Sequence, residues 1–494
     1  MNRANHSSRH VEYVLLIIFA AVSVWLLVHH EPGTDEAHSW LIDRDSPDLP
    51  SLFRMMPWEN TPALWHLLVF PLAKAGMPYV GERVLHLLII VGAAAVFLLA
   101  APLPRLEKGL AVFGYFPLYE YNAITRSYTL AVLLLFGIAA CWPRRLERPG
   151  RVCLMIALLA QTSMQTWLLA VALAVLLTYE LAVARSGASR RAYVAGALLM
   201  VVSFGAALYE ARPPAGLDAA QMLHLDPAMV ARSCWNSLMG AFLPVPSLQL
   251  HFWGTRLITT HLIAPLLLLP IILLWKRPRT LWLFLLCSVP LLGLIAAKGV
   301  ALPRYYGMIY LVFLTCLWLA HYYPGSGPVI HPRLRPVLIG LLGIQVLAAV
   351  PAVYYDTHYE FSAGESVARY LQEEGLLRGH PLVATFQSCM GEAVLASLDR
   401  PDLRFFSLET EDYRTFGVWT QNNRNQINML CATPALQVTR LEKEVDRTKP
   451  TTALLISAPT SGRPEPVLLQ RYQLLARFGP AIDAGNTYDL YRVR

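Results

Sequence analysis

Apolar residues in this chain recur in runs long enough to cross a lipid bilayer, from near the N-terminus to about residue 354, with short polar gaps between them. A membrane helix needs roughly 20 predominantly apolar residues, and a stretch such as LITTHLIAPLLLLPIILLW at 257–275 approaches that length. The pattern predicts about eleven crossings, over 13–28, 84–101, 110–119, 128–142, 152–164, 167–184, 192–209, 257–275, 281–297, 305–323 and 337–354. Two of them, 110–119 and 152–164, are short for a span. Beyond residue 355 the pattern changes. There 362–374 reads as an amphipathic helix, 382–386 as a strand, 391–398 as a helix, 452–457 as a second strand and 466–475 as another helix. The expected fold is an α-helical polytopic membrane protein over 1–355 with a water-soluble α/β domain over 356–494.

Composition supports this reading. The chain is 55% hydrophobic and only 15% charged, whereas soluble domains carry about 25% charged residues. A net charge of +8 would suit a nucleic-acid partner, but the basic residues are placed to set topology instead. They gather in alternate gaps: Arg105 and Lys108; Arg144, Arg145, Arg148 and Arg151; Arg185, Arg190 and Arg191; Lys276, Arg277 and Arg279; Arg333 and Arg335. The positive-inside rule then puts the N-terminus in the cytoplasm and the C-terminal domain outside it, and it retains both short segments as crossings. The run at 13–28 has no small-residue cleavage site and reads as a retained anchor of a multi-pass inner (plasma) membrane protein. Within the first outer segment, 29–83, the apolar stretch 61–73 is too short to span. Trp58, Trp65 and Phe70 predict that it lies along the interface. The seven cysteines show no metal-binding spacing. Cys141, Cys153, Cys287 and Cys316 read as packing residues, and Cys389 and Cys431 are free to pair if the tail meets an oxidising compartment.

Four clusters carry chemistry. Thr34–Asp35–Glu36 follows the first crossing directly, and carboxylates at a bilayer edge are costly enough to mark function; the alternative is a cap on a short helix. Glu59 precedes the interfacial stretch. Arg126–Ser127–Tyr128 and Arg304–Tyr305–Tyr306 stand at outer mouths of crossings, where Arg beside Tyr also serves as an interfacial anchor. The expected topology sets all four on one face at headgroup height. A hydroxyl acceptor needs a carboxylate base, and a departing phosphate needs fixed cations, for which the guanidinium fork is suited.

The runs TDEAHSWLIDRDSPDL, MPWENTPALWHLLVFPLAKAGMPYVGERVLHLL and FPLYEYNAITRSYTLAVLLL resemble the GT-C superfamily of membrane glycosyltransferases, in the style of bacterial relatives of protein O-mannosyltransferases and of the lipid A aminoarabinose transferase. The resemblance covers roughly 13–184, extends to the later helices by architecture, and hardly reaches the tail. It implies an inverting hexosyl or pentosyl transfer, outside the cytoplasm, from a polyprenyl-phosphate-linked sugar to a hydroxyl of a glycan, lipid or protein. On the matching positions it implies Asp35 as catalytic base, with Glu36 and Glu59 as further acidic residues. It implies Arg126 with Tyr128, and Arg304 with Tyr305, as ligands of the donor phosphate. After the second acid the aminoarabinose transferases carry a lysine; here Asn60 stands instead. A divalent metal held by Asp35, Glu36 and Glu59 is an alternative partner for the leaving phosphate. Membrane lipids are expected partners and nucleic acid is not. The competing classes are a transporter, a non-catalytic receptor and an O-antigen-type polymerase or ligase. A transporter would carry its charges within helices on both sides of the midplane, whereas here nearly all lie at the outer ends.

Overall fold

The computed structural model describes residues 9–59, 61–183, 190–213, 223, 226–257, 267–325, 327–458 and 464–493. Among them, seven helices are long and apolar enough to cross a membrane: His10–His29, Val80–Ala100, Met164–Val183, Arg191–Glu210, Pro278–Lys298, Pro303–Tyr322 and Arg335–His358. Each falls on an expected crossing, and the remaining four expected crossings look different. The segment 110–119 is divided between the helix Arg105–Val112 and a π-type turn, Phe116–Glu120, that Pro117 opens by removing a backbone donor. Helices Tyr128–Cys141 and Pro149–Ala160 have 14 and 12 residues, fewer than a bilayer core requires. The segment 257–275 lies largely outside the described residues; Leu269–Leu274 is its described helix.

Burial sorts the long helices. Pro303–Tyr322 is 83% buried over its apolar window and forms the hub, whereas Arg191–Glu210 is 17% buried and turns Leu198, Val201 and Val202 outward, as a lipid-facing helix does. At the hub the rings of Phe97 and Phe136 stand 5.7 and 6.3 Å from Trp318. The basic gaps also hold carboxylates: Arg335 pairs with Glu107 at 2.6 Å, and Arg105 and Lys108 each lie 3.4 Å from Glu12.

Three helices fill the first long loop: Thr34–Asp45, Leu49–Glu59 and Leu64–Lys74. The last has 11 residues and does not span. Trp65, expected as an interfacial anchor, is instead fully buried and donates its Nε1–H to Glu82 at 2.9 Å. The loop is therefore a packed structure in its own right.

The tail folds around one six-stranded sheet in the order β3-β2-β1-β4-β6-β5, formed by Pro381–Thr385 (β1), Phe405–Ser407 (β2), Asp412–Arg414 (β3), Thr452–Ser457 (β4), Gln473–Phe478 (β5) and Tyr488–Arg492 (β6). β1 runs parallel to β2 and to β4, with Leu382 opposite Ala453 and Thr385 opposite Ile456; the outer pairs are antiparallel. β1 and β4 are apolar almost throughout because helices cover both faces of the sheet. On one face Leu455, Leu382 and Phe406 pack with Leu430, Leu441 and Leu468 from helices Gln421–Ala432, Pro434–Thr448 and Pro466–Arg471. On the other, Val383, Leu454 and Ile456 share a core with Val367 and Leu371 from helix Gly364–Glu373, with Val394 from helix Glu392–Leu398, and with Ala37, Trp40 and Trp65 of the first long loop. The helix expected over 466–475 stops at Arg471, and its end becomes β5. Cys389 is buried, Cys431 is exposed, and they form no disulfide.

Candidate active site at the head of the first long loop

The first apolar helix ends at His29, and the chain turns through Gly33 into helix Thr34–Asp45. The turn is tight there: a Cβ on Gly33 would stand 3.1 Å from the Phe361 ring and press it aside by a few tenths of an ångström. Gly33 is the N-cap, so the capping role open to Thr34 or Asp35 falls elsewhere. Glu36 reaches back to accept from the Gly33 N–H at 2.9 Å, as the third helical residue of a capping box does. Its other oxygen accepts from the Thr125 N–H at 2.6 Å, and His30 Nε2 lies 3.1 Å from the first. Burial works against a charge on His30, but Asp356 at 2.9 Å and Glu36 on its two ring nitrogens push its pKa up to about 10. Glu36 thus holds the helix start against the turn before helix Tyr128–Cys141 and against the end of the last long helix.

One residue earlier on the helix, Asp35 points about 100° away. Its side chain is 55% exposed, and Oδ2 accepts from Arg304 Nη2, a guanidinium only 10% exposed. Arg126 Nη1 donates to the backbone carbonyl of Asp35. The Arg304 charge, with Arg126 adding to it, holds the Asp35 carboxyl well below the usual aspartate range. Arg304 itself stands 5.6 Å from the Tyr305 ring and 6.0 Å from Trp253, and the Tyr128 and Tyr305 rings lie 6.2 Å apart.

Helical spacing puts His38, three residues on, over the same face as Asp35. His38 Nε2 is 2.7 Å from Glu59 Oε1, and Nδ1 is 2.9 Å from Glu392 Oε2 in the tail. Glu59 Oε2 lies 3.8 Å from Arg126 Nη2. Burial disfavours a charge on Glu59, but His38 and Arg126 outweigh it and hold its pKa down to about 2. Glu59 therefore closes helix Leu49–Glu59 as a buried ion, not as a solvated surface acid.

The structure brings together Asp35, Glu59, Arg126, Tyr128, Arg304 and Tyr305, and it turns Glu36 away into the buried cluster beneath. His38 and Glu392 join the group without any motif to mark them. So does Glu120, which accepts from Trp253 Nε1 and from the Tyr115 hydroxyl, each at 3.2 Å, and whose second oxygen has no hydrogen-bond partner. Burial pushes Glu120 up to about 7 against the nearby Arg304 charge. Its one sequence signal is a glutamate six residues before Arg126 inside an apolar, aromatic stretch. Among the described residues, no group of three or more His, Cys, Asp or Glu side chains is arranged to hold a metal ion, because Asp35, Glu36 and Glu59 each turn to a different partner.

The fold is a helical membrane body with a small mixed-sheet domain packed on its first long loop. In that fold the chain is similar to two solved structures of ArnT, the lipid A aminoarabinose transferase and a GT-C glycosyltransferase, from Cupriavidus metallidurans. One, bound to undecaprenyl phosphate, superposes with a TM-score of 0.52 at 13% identity over 98% of each chain. The other, in the apo state, gives 0.50 at 13% identity over 97% of each. At such identity the likeness is one of fold. No family model matches the sequence, and comparison with curated proteins finds no significant relative.

Proposed function

We propose that this protein transfers a sugar from a polyprenyl-phosphate donor to an acceptor hydroxyl, with inversion, at the non-cytoplasmic face of the inner (plasma) membrane. The observation that carries the proposal is the half-exposed Asp35 carboxylate set against the guanidiniums of Arg304 and Arg126. The fold shared with an undecaprenyl-phosphate-bound ArnT supports the choice of donor. In this reading the acceptor oxygen attacks the anomeric carbon and gives its proton to an Asp35 oxygen. The bond from that carbon to the phosphate oxygen breaks, and its electron pair leaves with the phosphate. Arg304 and Arg126 take up the charge of that phosphate, while Tyr128 and Tyr305 wall the lipid side.

Arg304 also sets the strength of the base. Paired with Arg304, Asp35 is a weak base. When a phosphate shares the same guanidinium, part of that positive field is neutralised and the carboxylate recovers basicity. Base catalysis is thereby tied to an occupied donor site.

A deletion strain tests the function. Mass spectrometry of its envelope glycans and lipid-linked sugars should find one sugar substituent missing and the corresponding lipid-phosphate sugar accumulated. Unchanged profiles of both would contradict the proposal.

A further inference from the structure

His38 sits where three parts of the chain meet. Its own helix carries Asp35; helix Leu49–Glu59 supplies Glu59; the soluble domain supplies Glu392 from helix Glu392–Leu398. The His38 ring is 12% exposed, Glu59 4% and Glu392 not at all. Both ring nitrogens face carboxylate oxygens, at 2.7 and 2.9 Å. A neutral imidazole has a single N–H, so it would leave one buried carboxylate against a lone pair. An imidazolium donates to both carboxylates at once; burial raises the pKa of Glu392, and the His38 charge and the Gly417 N–H work against that rise. Glu392 is in turn fixed by the backbone N–H of Gly417, which donates to its other oxygen at 2.7 Å, and the Phe416 ring stands edge-on 6.1 Å from His38. Beyond Glu59 the chain of contacts continues to Arg126 at 3.8 Å and from Arg126 to the Asp35 carbonyl. Two carboxylates and two cations alternate, so the row is charge-balanced and tolerable in a buried place.

We propose that the soluble domain is a working part of the transfer site: Glu392, acting through the His38 imidazolium, fixes Glu59 and with it the guanidinium of Arg126 that receives the donor phosphate. The proposal rests on the transfer function above. Glu392 and His38 are positioning residues, since neither touches the phosphate. Without Glu392 only Glu59 favours the second proton of the imidazole, which is then lost at lower pH. Glu59 then loses a charged partner and draws Arg126 toward itself, away from the phosphate.

The groups facing His38 define how this responds to pH. Glu59 and Glu392 hold its proton directly, Asp35 stands on the same helix face, and Arg126 and His66 act on it through Glu59. Histidine's ordinary pKa is about 6.5, and the flanking carboxylates raise that of His38 well above it. The bridge is therefore intact at and below neutral pH and opens only as pH rises through the raised value. Glu392→Gln keeps an oxygen for the His38 N–H but removes the charge, so the opening moves to lower pH.

The test measures binding of undecaprenyl phosphate to the full-length protein in nanodiscs from pH 6 to pH 9, for the wild type, Glu392→Gln and His38→Gln, with thermal unfolding recorded beside it. Titration of the phosphate itself is common to all three proteins and cancels in their ratios. Glu392→Gln should bind like the wild type near pH 6 and roughly tenfold more weakly near pH 8. His38→Gln should be weaker throughout, with a pH-independent ratio to the wild type. Wild-type affinity and an unchanged pH profile in both variants would overturn the proposal while leaving the transfer function standing. If the wild type itself does not bind undecaprenyl phosphate, the transfer reading falls and this proposal with it. Should Glu392→Gln fail to fold, Glu392→Asp, whose shorter side chain draws the carboxylate back from the His38 ring, takes its place: an acid-shifted profile supports the bridge and a wild-type profile refutes it.

Discussion

Replacing Arg304 with alanine separates binding from folding. The guanidinium is 10% exposed and donates to the Asp35 carboxylate. A charge-assisted bond to phosphate contributes about 1.5–3 kcal/mol, and each 1.4 kcal/mol is a factor of about ten in affinity. Arg304→Ala should therefore weaken undecaprenyl phosphate binding by roughly 10- to 150-fold. Stability should change little, because the carboxylate left behind is 55% exposed and water takes over its solvation. The pH dependence moves as well. Arg304 is the main reason the Asp35 carboxyl titrates below its usual range. The ion pair thus stabilises the fold above the unfolded pKa of about 3.9, and its contribution fades as pH falls through the lower folded value. In the variant, the acid limb of the residual kcat/KM profile should rise toward about pH 4. The assay is ligand binding by native mass spectrometry beside thermal unfolding, both on full-length protein. Unchanged undecaprenyl phosphate affinity in a folded Arg304→Ala protein would falsify the assignment of Arg304 to the donor phosphate.

The other expectations concern the residues around it. Arg126→Ala should weaken donor binding by ten- to a hundredfold, with Arg126→Lys restoring part of the loss because an ammonium cannot fork; equal affinity for both variants and the wild type means that Arg126 only anchors the loop. Glu36→Ala removes a buried carboxylate that answers His30, Gly33 and Thr125, and breaking such a buried pair costs about 3–5 kcal/mol. Its melting temperature and yield should fall together, and a variant of wild-type stability that has lost turnover would place Glu36 in the chemistry instead. Cysteine labelling should reach positions near Arg148 only from the cytoplasm and positions near Glu373 only from outside; reversed labelling contradicts the topology on which the site depends.

Hydropathy alone made the long crossings legible, because a span is a local property of about 20 residues. The short ones take forms that composition does not announce. At 110–119 the apolar composition continues through Pro117, but the backbone cannot, and the run ends in a π-type turn. In the tail, β1 and β4 are fully buried apolar runs and were readable, whereas β2 and β3 have three residues each and leave no period to detect. The site divides the same way. The divergence of Asp35 and Glu36 follows from helical geometry, and the structure gives them separate partners. The pairing of Asp35 with Arg304 spans 269 positions and that of His38 with Glu392 spans 354, and such contacts leave no trace in local spacing. Nothing local to Glu59 marks its burial, because its partners His38 and Arg126 come from other helices and turns.

Whether Asp35 is the base of a glycosyl transfer is measured most directly by comparing Asp35→Asn with the wild type. Both full-length proteins are reconstituted with the lipid-phosphate sugar that accumulates in the deletion strain, together with its acceptor. Asparagine preserves the volume of the side chain and an oxygen for Arg304 but takes no proton. Loss of a general base typically costs 10²–10⁴ in rate. Asp35→Asn should fold, insert and bind donor within a few-fold of the wild type, and transfer sugar at least about a hundredfold more slowly. A folded Asp35→Asn protein that keeps most of the wild-type transfer rate contradicts Asp35 as the base.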